Sequence, residues 1–139
     1  MGTDELDAGQ LAARRLPVAV GVDMIARERV IATYARFGVR FLEKVFTPLE
    51  REQAGGRIER LVGRFAAKEA CAKMLGTGIG RDAAWQEIEI VRLPGGNPSL
   101  RLSGRAAARA HALGLIAFDV SISDTHEHTL AVVVGVGSR

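Results

Sequence analysis

Residues 64–75 contain no glycine or proline and lead directly into the glycine-rich segment 76–80. Residues 64–75 are rich in Ala, Leu, Met, Lys and Glu, which favour helices, and Gly76 suits the left-handed residue that closes many helices. The sequence therefore predicts a helix followed by a tight loop. One helix face is an apolar stripe at helical spacing. The other face mixes charged and apolar side chains, so we expect it to line a cleft: Phe65, Glu69, Ala72 and Lys73, with Lys68 at the edge.

The composition fits one globular domain. The chain has 139 residues, of which 47% are hydrophobic and 25% are charged, and no apolar run is long enough to span a membrane. The single cysteine, Cys71, excludes an intrachain disulfide and favours a cytoplasmic protein. The net charge of +3, without a dense Lys/Arg run, suits an acidic or phosphate-bearing partner better than nucleic acid. We expect a flexible N-terminal extension over residues 1–16, one domain over residues 17–139, and no membrane partner.

Helical patterns fill the first half of the chain and strand patterns the second, which is an α+β arrangement. The first strand, residues 17–23, has a face of small residues that ends at Asp23. Thr47 and Glu50 form a capping box for a short helix. The last strand, residues 129–136, is apolar on both faces and should lie in the centre of the sheet. The other predicted elements are helices at 26–37, 57–75 and 103–113 and strands at 85–93, 99–102 and 115–123, with Ile116 facing inward.

Asp23 and Glu69 are the candidate acidic site. Asp23 ends a strand and Glu69 lies on the second helix face, so both reach one cleft if strand and helix pack side by side. Two carboxylates suit Mg²⁺, which proteins hold with one or two carboxylates plus waters and substrate phosphates. Lys68 or Lys73 could then balance phosphate charge. A structural alternative stays open: a strand-end aspartate, a Glu69–Lys73 pair at i,i+4 spacing, and surface lysines.

Three other patterns carry little chemistry. The segment 76–80 follows a helix, whereas phosphate-cradling loops precede one, so a P-loop is excluded. His126 and His128 form an H-x-H pattern without a third metal ligand. Ser121 and Ser123 lack the G-x-S-x-G frame of a serine hydrolase.

Several stretches, taken in order along the chain, resemble the motifs of a known family. They are Val20-Gly-Val-Asp23-Met with Arg29, Phe46-Thr-Pro-Leu-Glu50, Arg64-Phe-Ala-Ala-Lys-Glu-Ala-Cys-Ala-Lys73 with Gly76-Thr-Gly-Ile-Gly80, and the pair Gly96-Asn-Pro98 and Ser121-Ile-Ser123. The chain resembles the holo-[acyl-carrier-protein] synthases, the small trimeric class of 4′-phosphopantetheinyl transferases. The likeness extends over residues 18–136, and its most specific part is the helix described first.

The resemblance implies a fold, an assembly and a reaction. The implied fold is that of the 4′-phosphopantetheinyl transferases, in which a long helix packs on an antiparallel sheet, and the implied assembly is a trimer with active sites between subunits. The implied reaction transfers the phosphopantetheine arm of coenzyme A to a serine of apo acyl carrier protein and releases adenosine 3′,5′-bisphosphate. Two alternatives stay open: a transferase dedicated to a polyketide or peptide synthase, and a catalytically silent homologue that binds coenzyme A or a carrier protein.

The resemblance also implies roles for individual residues. Asp23 and Glu69 would hold Mg²⁺, and Lys73 would balance phosphate charge; the general base, Glu69 or a metal-bound water, is left open. Arg29 and Arg36, seven residues apart on one helix face, would dock an acidic helix of the carrier protein. The residues expected to bind coenzyme A are Lys44, for the 3′-phosphate, and Lys68, Gly76, Gly78, Gly96, Pro98, Ser123 and Asp124.

Asp124 departs from the family pattern. The family usually has histidine directly after S-x-S, close to the nucleotide phosphates, whereas this chain has an aspartate. An anion beside a phosphate is repulsive, so we expect either that His126 substitutes or that the loop is arranged differently.

Overall fold

The structure, a computed structural model, describes residues 17–138, so the predicted extension over residues 1–16 lies outside the described residues. No helix within residues 17–138 is long and apolar enough to cross a membrane. The α+β class is confirmed. In chain order the elements are β1 (Val18–Ala26), α1 (Arg27–Phe37), α2 (Val39–Val45), α3 (Pro48–Ala54), a 3₁₀ helix (Ile58–Arg60), α4 (Val62–Leu75), a second 3₁₀ helix (Trp85–Glu87), β2 (Ile88–Arg92), β3 (Pro98–Leu102), α5 (Gly104–Ala112), β4 (Ala117–Asp124) and β5 (His128–Val136).

The strands form one three-stranded sheet and one hairpin, both antiparallel. The sheet order is β1-β5-β4, and β2 pairs with β3. The prediction that the last strand is central is confirmed, because β5 pairs with β1 on one side and with β4 on the other. Along β5, Thr129, Ala131 and Val133 are fully buried, whereas Leu130 and Val132 are exposed. The buried side chains lie under α4, which packs on β1 and β5.

The face of this sheet opposite α4 is exposed among the described residues, and it is apolar along β1 and β5. Alternation along paired strands brings cross-strand neighbours such as Val22 and Val132 to the same face. Seven apolar side chains on this face are each at least 36% exposed. Contiguous apolar patches on a protein surface commonly mark interaction sites. We call this set the open sheet face: Val18, Val20, Val22, Met24, Leu130, Val132 and Val136.

The contact between β1 and α4 is made backbone to backbone at Gly21. A Cβ atom added to Gly21 would lie 1.9 Å from the carbonyl oxygen of Ala70 and 2.6 Å from the amide nitrogen of Met74. The small-residue face of β1 is therefore the surface on which α4 lies. Asp23 follows Gly21 on the same face, so this contact brings Asp23 beside α4. The predicted apolar stripe of the helix is buried, as expected: Ala67, Ala70, Cys71 and Met74.

The prediction that the first strand ends at Asp23 is wrong, because β1 continues to Ala26. Two other predicted boundaries differ from the structure because the chain tightens into 3₁₀ geometry. The helix predicted over 57–75 begins only at Val62, after the first 3₁₀ helix. The strand predicted from Trp85 begins at Ile88, because the second 3₁₀ helix comes first. There the Glu87 carboxylate accepts a hydrogen bond of 2.7 Å from the Ala84 N–H, which holds the turn. The predicted capping box of α3 is confirmed.

The prediction that Ile116 faces inward is wrong. Ile116 is 69% exposed, and its neighbour Leu115 is buried instead. Regular strand alternation begins only at Ala117, so the alternation inferred for residues 115–116 does not apply to them.

The close approach at Gly21 makes a stability prediction. Gly21→Ala should lower the free energy of unfolding by about 3 kcal/mol, because the new methyl group meets backbone atoms that cannot turn away. The melting temperature, measured by circular dichroism, should fall by about 10 °C. Gly95→Ala is the matched control, because a Cβ atom there meets nothing within 4 Å and should leave the melting temperature unchanged. Equal melting temperatures for the two variants would contradict the contact.

Candidate active site

A cleft of about 460 Å³ lies between β1, α1, α2 and α4. The prediction that the second face of α4 lines a cleft is confirmed for Phe65 and Glu69, which both lie in its wall. It is wrong for Ala72, which is fully buried, and Lys73 is not a wall residue. The apolar part of the wall includes Trp85, whose ring stacks on Phe65 with centroids 5.0 Å apart. The polar part contains Thr33 and four residues singled out from the sequence: Asp23, Arg29, Lys44 and Glu69.

Asp23 has one satisfied and one unsatisfied carboxylate oxygen. Its Oδ1 accepts a hydrogen bond of 2.8 Å from Lys73 Nζ. Its Oδ2 is buried and has no hydrogen-bond partner within residues 17–138. A buried carboxylate oxygen without a partner is costly, so Asp23 is arranged for an additional ligand in the cleft.

Glu69 lies in the same electrostatic environment as Asp23. Burial and then the negative charge of Asp23 raise the pKa of Glu69, while Lys73 and Arg29 act in the opposite direction. The negative charge of Asp23 therefore disfavours ionisation of Glu69, whereas the positive charges of Lys73 and Arg29 favour it. A bound cation would remove the repulsion.

This donor set fits Mg²⁺. Mg²⁺ prefers hard oxygen ligands and keeps several waters or substrate oxygens in its coordination shell. Asp23 offers a buried, unpartnered oxygen and Glu69 a second carboxylate in the same cleft. Among residues 17–138 there is no cluster of three or more His, Cys, Asp or Glu side chains that could hold a metal. Two carboxylates could hold the ion and leave positions for waters and phosphate oxygens.

Lys73 stands at the edge of the acidic pair. Its side chain is 55% exposed, so its ammonium group can also meet a ligand that enters from solvent. The hydrogen bond from Lys73 to Asp23, together with the Asp23 charge, raises the pKa of Lys73. The side chain therefore stays protonated at neutral pH.

Lys68 does not face the cleft. Its Nζ is 2.7 Å from Glu50 Oε1 and donates hydrogen bonds to the carbonyl oxygens of Trp85 at 2.9 Å and Ile88 at 2.5 Å. Both side chains of the Lys68–Glu50 pair are 0% exposed. Because an ammonium group has three donors and all three are used in the core, the prediction that Lys68 binds coenzyme A is wrong.

The remaining residues expected to bind coenzyme A lie outside this cleft. Gly96, Pro98 and Asp124 line a second pocket of about 320 Å³, together with Arg60 and Arg92. Gly76 lines a third depression with Arg105 and Arg109. Gly78 and Ser123 are exposed. Within one chain, Lys44 therefore lies in the same cleft as Asp23 and Glu69. Gly96, Pro98 and Asp124 lie in a different pocket.

Asp124 is paired with a cation. Its Oδ1 accepts hydrogen bonds from the Arg27 guanidinium at 2.9 Å and from Thr129 Oγ1 at 2.5 Å. Arg27 therefore offsets the negative charge that a phosphate would otherwise meet in the second pocket. The sequence analysis missed Arg27, because 97 residues separate it from Asp124 and no local pattern links them.

The two arginines of α1 are exposed. Arg29 lies in the cleft wall, and the Arg36 guanidinium lies 5.0 Å from the ring centroid of Phe37. Phe37 is itself 55% exposed. This helix therefore presents one arginine in the cleft wall, and a second arginine and an exposed apolar ring at its C-terminal end.

Comparison with known proteins identifies the family. A sequence model of the 4′-phosphopantetheinyl transferase superfamily matches residues 19–133. The chain belongs to this superfamily. The holo-[acyl-carrier-protein] synthase of Azorhizobium caulinodans is 50% identical over 95 residues, which cover 66% of this chain and 70% of that protein. The synthase of Rhodopseudomonas palustris is 44% identical over 128 residues, with coverage of 84% and 92%.

Solved structures of this family share the fold. The Helicobacter pylori holo-[acyl-carrier-protein] synthase in complex with coenzyme A has a TM-score of 0.76 and 30% identity, covering 84% of this chain and 98% of that one. The synthase from Neisseria meningitidis has a TM-score of 0.77 and 32% identity, covering 87% and 98%. The 4′-phosphopantetheinyl transferase fold predicted for this chain is therefore confirmed.

The raised pKa of Glu69 predicts that, in the absence of metal, ionisation of Glu69 lowers the free energy of unfolding as pH rises. A raised pKa means that the folded state holds the Glu69 proton more tightly than the unfolded chain, so this stabilisation is present at low pH and is lost as pH rises through the folded-state pKa. With chelator present, the melting temperature of Glu69→Gln minus that of the original chain should increase between about pH 4 and pH 7. Glu52→Gln, on the exposed side of α3, controls for loss of a surface carboxylate. A difference that is flat with pH would contradict the assignment.

Proposed function

We propose that this chain is a Mg²⁺-dependent holo-[acyl-carrier-protein] synthase. In this role it transfers the 4′-phosphopantetheine group of coenzyme A to a serine of apo acyl carrier protein and releases adenosine 3′,5′-bisphosphate. The observation that carries the proposal is the shared cleft of Asp23 and Glu69, in which Asp23 Oδ2 is buried without a partner. The names of the relatives, including a neighbour solved with coenzyme A, support the same reaction.

The proposed chemistry is an in-line phosphoryl transfer. The carrier serine oxygen attacks the phosphorus that bears the pantetheine arm, and the bond from this phosphorus to the bridging oxygen breaks. The bridging oxygen leaves as part of adenosine 3′,5′-bisphosphate, and the serine proton would pass to Glu69 or to a metal-bound water. Mg²⁺ held by Asp23 and Glu69 would supply positive charge to the pyrophosphate oxygens. Lys73, at the open edge of the cleft, would stabilise charge on the transferring and leaving oxygens. Phe65 and Trp85 offer an apolar wall to the pantetheine arm.

We propose that coenzyme A spans two pockets from neighbouring copies of the chain. Lys44 lies in the cleft, whereas Gly96, Pro98 and Asp124 lie in the second pocket. An active site between subunits, as in the family that the sequence resembles, would join the cleft of one copy to the second pocket of the next. Contacts of coenzyme A with Gly76, Gly78 and Ser123 stay predictions.

We further propose a homotrimer assembled through the open sheet face. An apolar surface of seven exposed side chains is costly to leave in water and is typical of an interface between permanent partners. The pairing of Val22 with Val132 across β1 and β5 places two branched side chains in its centre.

The predicted cytoplasmic location also stays a proposal.

The carrier protein would dock beside the cleft on α1. Arg29 and Arg36 supply the positive charge and Phe37 an exposed apolar contact. Electrostatic complementarity of this kind steers an acidic partner and orients it. Docking there would bring the carrier serine towards Asp23 and Glu69.

The decisive assay is modification of apo acyl carrier protein. With coenzyme A and Mg²⁺, intact-protein mass spectrometry should show the added phosphopantetheine group on the carrier serine. Chelator should abolish the product, and Glu69→Gln should reduce the rate about a hundredfold or more, because a charge that stabilises the transition state is lost. Binding of coenzyme A without any transfer would instead support the catalytically silent homologue. A faster reaction with a polyketide or peptide synthase carrier would support a dedicated transferase.

The assembly is tested by changing the centre of the open sheet face. The double change Val22→Asp with Val132→Asp should convert a trimer of 14.9 kDa chains to monomers, because charged side chains at an apolar interface are strongly unfavourable. Light scattering after size-exclusion chromatography gives the mass, and circular dichroism checks that the monomer stays folded. Val39→Asp, at a 57% exposed position on α2, is the control. A monomeric original chain would refute the trimer.

A further inference from the structure

The buried Glu50–Lys68 pair joins four elements of the core. Glu50, on α3, accepts hydrogen bonds from the Thr47 N–H at 2.8 Å and the Ile90 N–H at 3.0 Å, in addition to its contact with Lys68 on α4. Lys68 in turn donates to the carbonyls of Trp85 and Ile88. The pair therefore ties α3 and α4 to the 3₁₀ helix and strand β2.

Stability alone does not account for two charges in this position. Removing two ions from water is expensive, and well-packed neutral replacements are often equally stable or more stable. Burial lowers the pKa of Lys68, and the nearby Glu50 charge only partly offsets this. What an ammonium group provides that an apolar side chain cannot is three directed hydrogen bonds.

Lys68 connects this pair to the cleft in two ways. Lys68 directly precedes Glu69, so anchoring Lys68 in the core fixes how α4 is rotated and where Glu69 points. The carbonyl that Lys68 binds belongs to Trp85, whose ring stacks on Phe65 in the cleft wall. One buried cation thus holds the backbone beside a metal-binding carboxylate and the backbone of an aromatic wall residue.

We propose that the buried Glu50–Lys68 ion pair is a positioning element of the active site, which orients Glu69 towards the metal and holds Trp85 against Phe65. Neither residue touches substrate, and both act through the groups they hold. Groups that orient metal ligands commonly change metal affinity by about ten- to a hundredfold when they are removed. The proposal builds on the Mg²⁺ role assigned to Asp23 and Glu69.

The main test variant is the double change Glu50→Gln with Lys68→Met. It removes both charges together, so no unpaired buried ion remains. The Gln oxygen can still accept from one of the two N–H groups that Glu50 binds, Thr47 through Oε1 or Ile90 through Oε2. Trp85 is the only tryptophan in the chain, so its fluorescence reports the cleft wall directly. The melting temperature is measured at increasing concentrations of Mg²⁺ alone, which reports metal binding without substrate.

The double variant should unfold cooperatively but with a shifted Trp85 emission maximum. It should need at least about ten times more Mg²⁺ than the original chain for the same rise in melting temperature. Val120→Ala, a cavity variant in β4 at a buried position, is the matched control. It should lower the melting temperature while leaving the Trp85 emission and the Mg²⁺ dependence unchanged.

The proposal would be overturned if the double variant folds and shows the same Trp85 emission and the same Mg²⁺ dependence as the original chain. The pair would then serve the fold alone. If the double variant does not fold, Glu50→Gln alone is measured, and it should show a smaller shift in both readouts. Failure of both variants to fold would also overturn a separate positioning role. If the original chain binds Mg²⁺ but does not modify carrier protein, the proposed reaction fails while these readouts still test the positioning.

Discussion

The backbone contact between β1 and α4 at Gly21 is the constraint on which the rest of the structure depends. A strand and a helix can come this close only where one of them has no side chain. The approach buries the small face of β1 and brings Asp23, which follows Gly21 on that face, beside the helix. The carboxylate of Glu69 and the ammonium of Lys73 are then its neighbours. The acidic cleft is thus a direct result of how tightly two backbones pack.

Helix α4 carries two lysines in very different environments, five residues apart. Lys68 lies in the core with all its donors used, and its partner Glu50 is equally well hydrogen-bonded. Lys73 lies at the surface and pairs with a carboxylate that keeps one oxygen without a partner. The core pair is complete without a ligand, whereas Asp23 in the cleft is not. The helix thus has one side, at Lys68, that stabilises the core and another, at Lys73, that is available for a ligand.

Features that depend on neighbouring residues in the chain could be predicted from the sequence. The helix ending at Gly76, the capping box of α3 and the central position of β5 were all predicted, because helix caps and hydrophobic periodicity depend on neighbouring residues. The pairing of Asp23 with the α4 carboxylate was an inference from face and spacing, and the resemblance to a family made it specific. The prediction for Lys68 was wrong because its position next to Glu69 does not reveal the tertiary contact of Lys68 with Glu50. Arg27 was missed because its contact with Asp124 forms only in the folded sheet, where β1 and β4 lie on either side of β5.

The open sheet face has a consequence for how the protein behaves on dilution. When the folded form is stabilised by association with its own copies, its population follows mass action, and its apparent stability increases with protein concentration. Under the proposed assembly, the same association brings the two halves of the coenzyme A site together. Catalytic capacity per chain would then depend on the amount of protein present, so a cell that makes little of it would lose more than proportionally in activity.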